Sequence, residues 1–168
     1  VLGYGAPGVG KSTRASDAPG AVVLPCEDGV GEIDVPRFPR PATQAEVIEA
    51  IESITSGTLV IDSLSALEQI IYADMLRGTK WATLEEYAGG WKKYLPDALD
   101  LGCRPIVRSL DAMRARGANV VLVAHSRVRA YRDPESDGWD RHTIDLAEGA
   151  SALLTAWCDA VLFCAHED

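Results

Sequence analysis

Eight residues near the start, Gly5-Ala6-Pro7-Gly8-Val9-Gly10-Lys11-Ser12, constrain this chain more than any other feature. They fit the spacing G-x-x-x-x-G-K-[ST]. Glycines at these places let the backbone curl with its N–H groups inward, a concavity that suits phosphate oxygens. The apolar run Val1-Leu2-Gly3-Tyr4 ahead of it reads as a strand. From Lys11 the chain reads as a helix, whose positive N-terminal end faces the same anion. Lys11 supplies a point charge to the outer phosphates, the Ser12 hydroxyl suits a magnesium ion, and Thr13 carries the cradle into the first helical turn. The ligands this loop predicts are ATP and Mg2+.

The rest of the chain alternates apolar runs with helical periodicity, which predicts a parallel sheet with helices on both faces. Strands are expected at 21–25, 59–61, 120–124 and 160–164. Residues 44–54 form a helix, since Val47, Ile48, Ile51 and Ile54 share one face, with Thr43 as N-cap and Glu46 completing a capping box. Helices are also expected at 64–76, 84–95 and 148–157, with Tyr87, Trp91, Tyr94 and Leu95 as an aromatic stripe for core packing or a subunit interface. Pro96 and Gly102 read as interruptions before a helix bearing Ile106, Leu110 and Met113, which stops at Gly117. The Pro- and Gly-rich stretch up to Pro41 reads as an excursion. Residues 126–140 are polar, contain Pro134 and Gly138, and read as a long functional loop.

Three further positions carry candidate chemistry. Leu59-Val60-Ile61 ends in Asp62, and a parallel strand delivers its last residue to the edge where ligands bind, so Asp62 is expected to help hold Mg2+. Glu27, first after the second strand, is the candidate base for the attacking water, ahead of its neighbour Asp28. His125 and Ser126 follow the strand at 120–124, where a polar residue can sense the γ-phosphate and pass its state to the next loop. That loop holds Arg127, Arg129 and Arg132, with Arg141 just beyond, interleaved with Tyr131 and Trp139. Two roles stay open for these arginines: contacts to single-stranded nucleic acid, or a finger on a neighbouring subunit's ATP. A solvated loop balanced by Asp133, Glu135, Asp137 and Asp140 is the plain alternative.

Composition sets outer limits. The 168 residues suffice for one domain with its own core, residues 1–168, and the opening at Val1 inside a strand reads as a domain trimmed at its start. A net charge of −9 argues against nucleic-acid binding over the whole surface, though not against one local basic element. The longest apolar runs are too short to span a bilayer. Cys26, Cys103, Cys158 and Cys164 lack metal-ligand spacing and read as reduced thiols, which fits a cytoplasmic protein.

Several segments occur together in order: the loop at 5–12, Glu27-Asp28-Gly29, Val60-Ile61-Asp62-Ser63-Leu64, and the run from Gly117 through His125-Ser126. Asp133-Pro134-Glu135, Trp139-Asp140-Arg141 and the closing Trp157-Cys158-Asp159-Ala160-Val161-Leu162-Phe163 complete the set. Together they resemble the phage nucleotide-binding AAA-type ATPases, core-only relatives of RecA. The resemblance implies a three-layer αβα P-loop NTPase with a RecA-like core, ATP and magnesium, self-assembly, and a phage protein working in the host cytoplasm. In the characterised branch it implies single-strand annealing in phage DNA recombination. By position, Lys11, Ser12 and Asp62 match the family's nucleotide and metal residues, Glu27 its catalytic glutamate, and His125 the polar sensor before the DNA-binding loop. Two other readings remain: a small-molecule or nucleotide kinase, for which the sequence offers no clear second substrate pocket, and a nucleotide-gated assembly module with little turnover.

Overall fold

The computed structural model describes residues 1–29, 33–90, 92–131 and 139–165. Strands run over Leu2–Gly5 (β1), Ala21–Pro25 (β2), Thr58–Asp62 (β3), Asn119–Tyr131 (β4), Trp139–Ile144 (β5) and Val161–Cys164 (β6). Helices cover Lys11–Ser16 (α1), Gln44–Ser53 (α2), Leu64–Leu76 (α3), Tyr94–Asp97 (α4), Arg104–Ala115 (α5) and Glu148–Trp157 (α6). Five strands form a parallel sheet in the order β2-β3-β4-β1-β6, and β5 pairs antiparallel with the far half of β4. This is the expected α/β architecture with helices on both faces.

Alternation along the central strands divides the core. Leu59, Ile61, Leu122 and Ala124 face α2, α3, α5 and α6, whereas Val60 and Val123 face Ala15 of α1. All five residues of β3 are buried, as a strand covered on both faces requires. Thr43 caps α2 by accepting from the Glu46 N–H at 3.2 Å, an interaction worth about 1 kcal/mol. Glu46 returns the contact one residue earlier than a capping box would, to the Ala42 N–H at 2.6 Å.

Three expectations are corrected. The segment at 84–95 is not one helix. Tyr87–Gly89 makes a single tight turn with Ala88 at φ 51°, and Tyr87 packs at a tilt against Trp81, with ring centroids 4.8 Å apart. Gly89 and Gly90 give the backbone freedom to leave the helical path there. Trp91 lies outside the described residues. The helix also does not break at Pro96 and Gly102, because α4 continues through a π-helical stretch, Ala98–Cys103, into α5. Pro96 sits in the first turn, where its missing N–H costs nothing. The wider π turn accommodates Pro105, which cannot donate to the preceding turn. Gly102 is buried against Ile71, and any side chain there would overlap it.

The third correction concerns 126–140. β4 does not stop at Ala124. It pairs with β1 as far as His125, and from Ser126 to Tyr131 it changes partner to β5. The arginines therefore stand on a two-stranded ribbon projecting from the sheet edge. Arg132 and the Asp133-Pro134-Glu135 segment lie outside the described residues.

The ribbon returns to α6 through a buried carboxylate. Ala147 has no side-chain acceptor to cap α6, and Glu68 of α3 accepts its N–H at 2.8 Å. Burial holds the Glu68 carboxyl above its ordinary range of about 4.5, opposed by hydrogen bonds from Ala147 and Tyr72. A carboxyl raised in the folded state stabilises most when protonated, and that contribution fades as pH rises through the folded pKa. Glu68→Gln keeps the acceptor and removes the titration. Its melting temperature should therefore gain on the wild type as pH rises from about 4 to 8. Melting curves that stay parallel across that range would assign the effect elsewhere.

Candidate nucleotide site

The carboxyl ends of β1, β2 and β3 and the partner change in β4 all open on one edge of the sheet. That edge is where ligands bind in open parallel sheets. β1 turns into the glycine-rich loop, in which Gly8 and Gly10 take φ of 83° and 81°, conformations closed to most side chains. Gly10 also begins α1, so residues 5–13 form one continuous cradle: Gly5, Ala6, Pro7, Gly8, Val9, Gly10, Lys11, Ser12 and Thr13.

Lys11 is buried and reaches back across the loop, donating from Nζ to the Gly5 and Ala6 carbonyls at 3.0 and 2.7 Å. Burial lowers its pKa, while Asp62, Cys164 and Glu27 pull it back up. An ammonium desolvated in this way gains most from an anion beside it. Asp62 is buried at the end of β3 and accepts a hydrogen bond from the Ser12 hydroxyl. Burial raises the Asp62 carboxyl, the Ser12 bond lowers it, and Glu27 raises it again. A buried carboxylate beside a hydroxyl is the hard oxygen donor set that suits Mg2+.

Glu27 arrives from β2. The Cys26 N–H donates to the Asp62 carbonyl at 2.6 Å, which sets the turn beside β3. His125 meets it from β4, with Nε2 2.8 Å from Glu27 Oε1. The His125 Nδ1 is buried among the described residues without a partner. A proton on Nε2, donated to Glu27, leaves Nδ1 as a bare acceptor and avoids a buried unpaired N–H. The His125 backbone is itself fixed, its N–H bound to Ser65 Oγ at 3.2 Å and its carbonyl to the Asp145 N–H at 2.9 Å.

The residues singled out from sequence thus fall into two places. The loop, Asp62, Glu27 and His125 converge on one sheet edge. Arg127, Arg129 and Arg141 lie along the ribbon. In its antiparallel register Arg127 pairs with Thr143 and Arg129 with Arg141, so these four residues occupy one face. Arg127 turns inward, donating to the Leu146 carbonyl at 2.6 Å and lying 3.5 Å from Asp145. Arg129 lies 3.8 Å from Glu148, and Arg141 is exposed.

Two features of the site are not evident from the sequence. A cleft of about 720 Å³ opens beside Glu27 and His125, lined also by Arg40, Ser65, Gln69 and Asp145. Arg40 is the second feature, placed in the stretch that reads as an excursion; its one local sign is the pair of flanking prolines, Pro39 and Pro41.

A lysine-bearing phosphate cradle on the first strand, with a buried carboxylate at the end of β3, defines a P-loop nucleotide-binding domain. A model of the AAA domain family matches residues 1–168, and the chain belongs to that family of nucleotide-binding ATPases. A search of curated proteins finds no match. Among the described residues no helix is long and apolar enough to cross a membrane.

Proposed function

We propose that the chain is a Mg2+-dependent, RecA-like ATPase that couples hydrolysis to single-stranded DNA, as an oligomer. The observation that carries the reading is the meeting of Glu27, His125, Asp62 and Lys11 at one sheet edge. Lys11 and the loop N–H groups bind the phosphates, and Ser12 with Asp62 holds Mg2+, which when bound neutralises charge developing on the transferred phosphoryl group. Glu27 takes the proton of the attacking water, and His125 orients its carboxylate through Nε2.

The ribbon supports the DNA half of the proposal. Arg129 and Arg141 stand directly opposite each other, an arrangement of like charges that is unfavourable alone and relieved by a phosphate between them. Trp139, half exposed on the same face, can stack on a base, a contact worth about 1–3 kcal/mol. Together they place a cationic pair and a stacking surface on one element of a chain whose net charge is −9. Annealing of strands in phage-type recombination is the process this reading fits.

The test is steady-state ATP hydrolysis with and without single-stranded DNA, with Lys11→Ala as the blank. DNA should stimulate the wild type. The double variant Arg129→Ala/Arg141→Ala should keep DNA-free turnover and lose the stimulation. Its salt dependence of binding should flatten by about 1.4 in log–log slope for two lost phosphate contacts. Loss of DNA-free turnover instead would assign the arginines to a neighbouring subunit's ATP. No stimulation of the wild type would remove DNA coupling.

The cleft beside Glu27 favours one other reading, a kinase whose acceptor binds there. Stoichiometric phosphorylation of a small molecule or nucleotide, in place of phosphate release, would decide for it.

A further inference from the structure

Glu27 is held by its carboxylate and also through its two chain neighbours, the Cys26 carbonyl before it and the Asp28 carboxylate after it. One guanidinium spans the turn: Arg40 Nε donates to the Cys26 carbonyl at 3.0 Å, and Arg40 Nη1 donates to Asp28 Oδ2 at 3.3 Å. Arg40 thus grips the residues before and after Glu27, while His125 takes the carboxylate at 2.8 Å.

Arg40 comes from a strap tied at both ends. β2 is an edge strand of the parallel sheet. Val23 donates to the Pro36 carbonyl at 2.9 Å and accepts from the Phe38 N–H at 2.8 Å, which lays 36–38 along its outer side. Beyond Arg40, the Ala42 N–H is held by Glu46 at 2.6 Å and the Ala42 carbonyl by Arg77 Nη2 at 3.1 Å. Pro39 and Pro41 stiffen the intervening chain by fixing φ on both sides of Arg40. The strap therefore brings a preorganised two-pronged donor to the turn, and Arg40 also lines the cleft beside Glu27 and His125.

We propose that Arg40 is a positioning residue for hydrolysis, acting through Glu27 by fixing the turn that carries it. The inference rests on Glu27 as the base. The geometry separates it from a stabilising ion pair: the Arg40 and Asp28 side chains are 53% and 98% exposed, and pairs so exposed contribute little to folding. Arg40 makes its main contact with a backbone carbonyl instead, where its loss frees the turn to move.

The experiment is a double-mutant cycle on ATP hydrolysis with Arg40→Ala, Glu27→Gln and the pair, with Arg40→Lys as the conservative variant and thermal melting as the control. Arg40→Ala should lower kcat by about 10- to 100-fold, the scale of a displaced catalytic group, with KM for ATP and melting temperature unchanged. Arg40→Lys, which can reach the Cys26 carbonyl but cannot make both contacts, should recover part of the loss. In the Glu27→Gln background Arg40→Ala should add nothing. An equal loss in both backgrounds, a rise in KM alone, or wild-type kcat in Arg40→Ala overturns the positioning role. Wild-type turnover in Glu27→Gln by itself overturns the base assignment, which keeps the two failures apart.

Discussion

Glu27→Gln is expected to bind ATP like the wild type and to turn over about 10²- to 10⁴-fold more slowly, the contribution of a positioned general base. The substitution suits this site because glutamine keeps the shape and the Oε1 acceptor that meets His125 Nε2. The turn keeps its remaining anchors, the Cys26 N–H on the Asp62 carbonyl and the Cys26 carbonyl on Arg40. What disappears is the carboxylate's basicity. Single-turnover hydrolysis beside direct nucleotide binding separates the two properties. Turnover at the wild-type rate would place the base elsewhere, and lost binding would make Glu27 part of the cradle. His125→Ala is a weaker companion: the carboxylate stays but loses the partner that orients it, so its effect should fall below that of Glu27→Gln.

Lys11→Ala is the second large effect. Lys11 donates to the Gly5 and Ala6 carbonyls, and on the proposed reading the same ammonium serves the outer phosphates of a bound nucleotide. Two charge-assisted bonds at about 1.5–3 kcal/mol each correspond to a loss of at least about a hundredfold in ATP affinity. The fold without nucleotide should melt close to the wild type, because the lost carbonyl bonds are offset by removal of an ammonium whose burial is costly. Thermal melting with increasing ATP reads both outcomes. Ligand should raise the wild-type melting temperature and leave that of the variant flat. A variant that melts low without ATP would give Lys11 a role in holding the loop together; one that ATP still stabilises would remove it from phosphate binding.

Features that close over a few consecutive residues are legible in the chain itself. The loop at 5–12 carries its own geometry, since glycine spacing and a following helix suffice to make a phosphate cradle wherever they stand. β3 shows as an apolar run ending in Asp62. The helices α3 and α6 have the boundaries expected of them, because their apolar periodicity matches their buried faces. Glu27 and His125 are also legible as residues of the ligand edge, since each follows an apolar strand.

Tertiary structure decides what depends on a distant partner. Glu27 and His125 are 98 residues apart, and only the order β2-β3-β4-β1 sets their side chains in contact. Residues 126–131 read as loop from their charge, although Arg127-Val128-Arg129-Ala130 alternates at the strand period; pairing with 139–144 supplies the hydrogen bonds that make them a ribbon. Pro96 and Gly102 read locally as breaks. A π turn and the close approach of Ile71 make a continuous helix the better packing. Arg40 has little local signature beyond its prolines, for its partners are a carbonyl and a carboxylate 14 and 12 residues earlier. They meet it because an extended strap lies against the edge of β2. The chain alone thus determined the glycine-rich loop and the carboxylates that end its strands; the fold determined that Glu27 meets His125 and that Arg40 reaches the turn beside it.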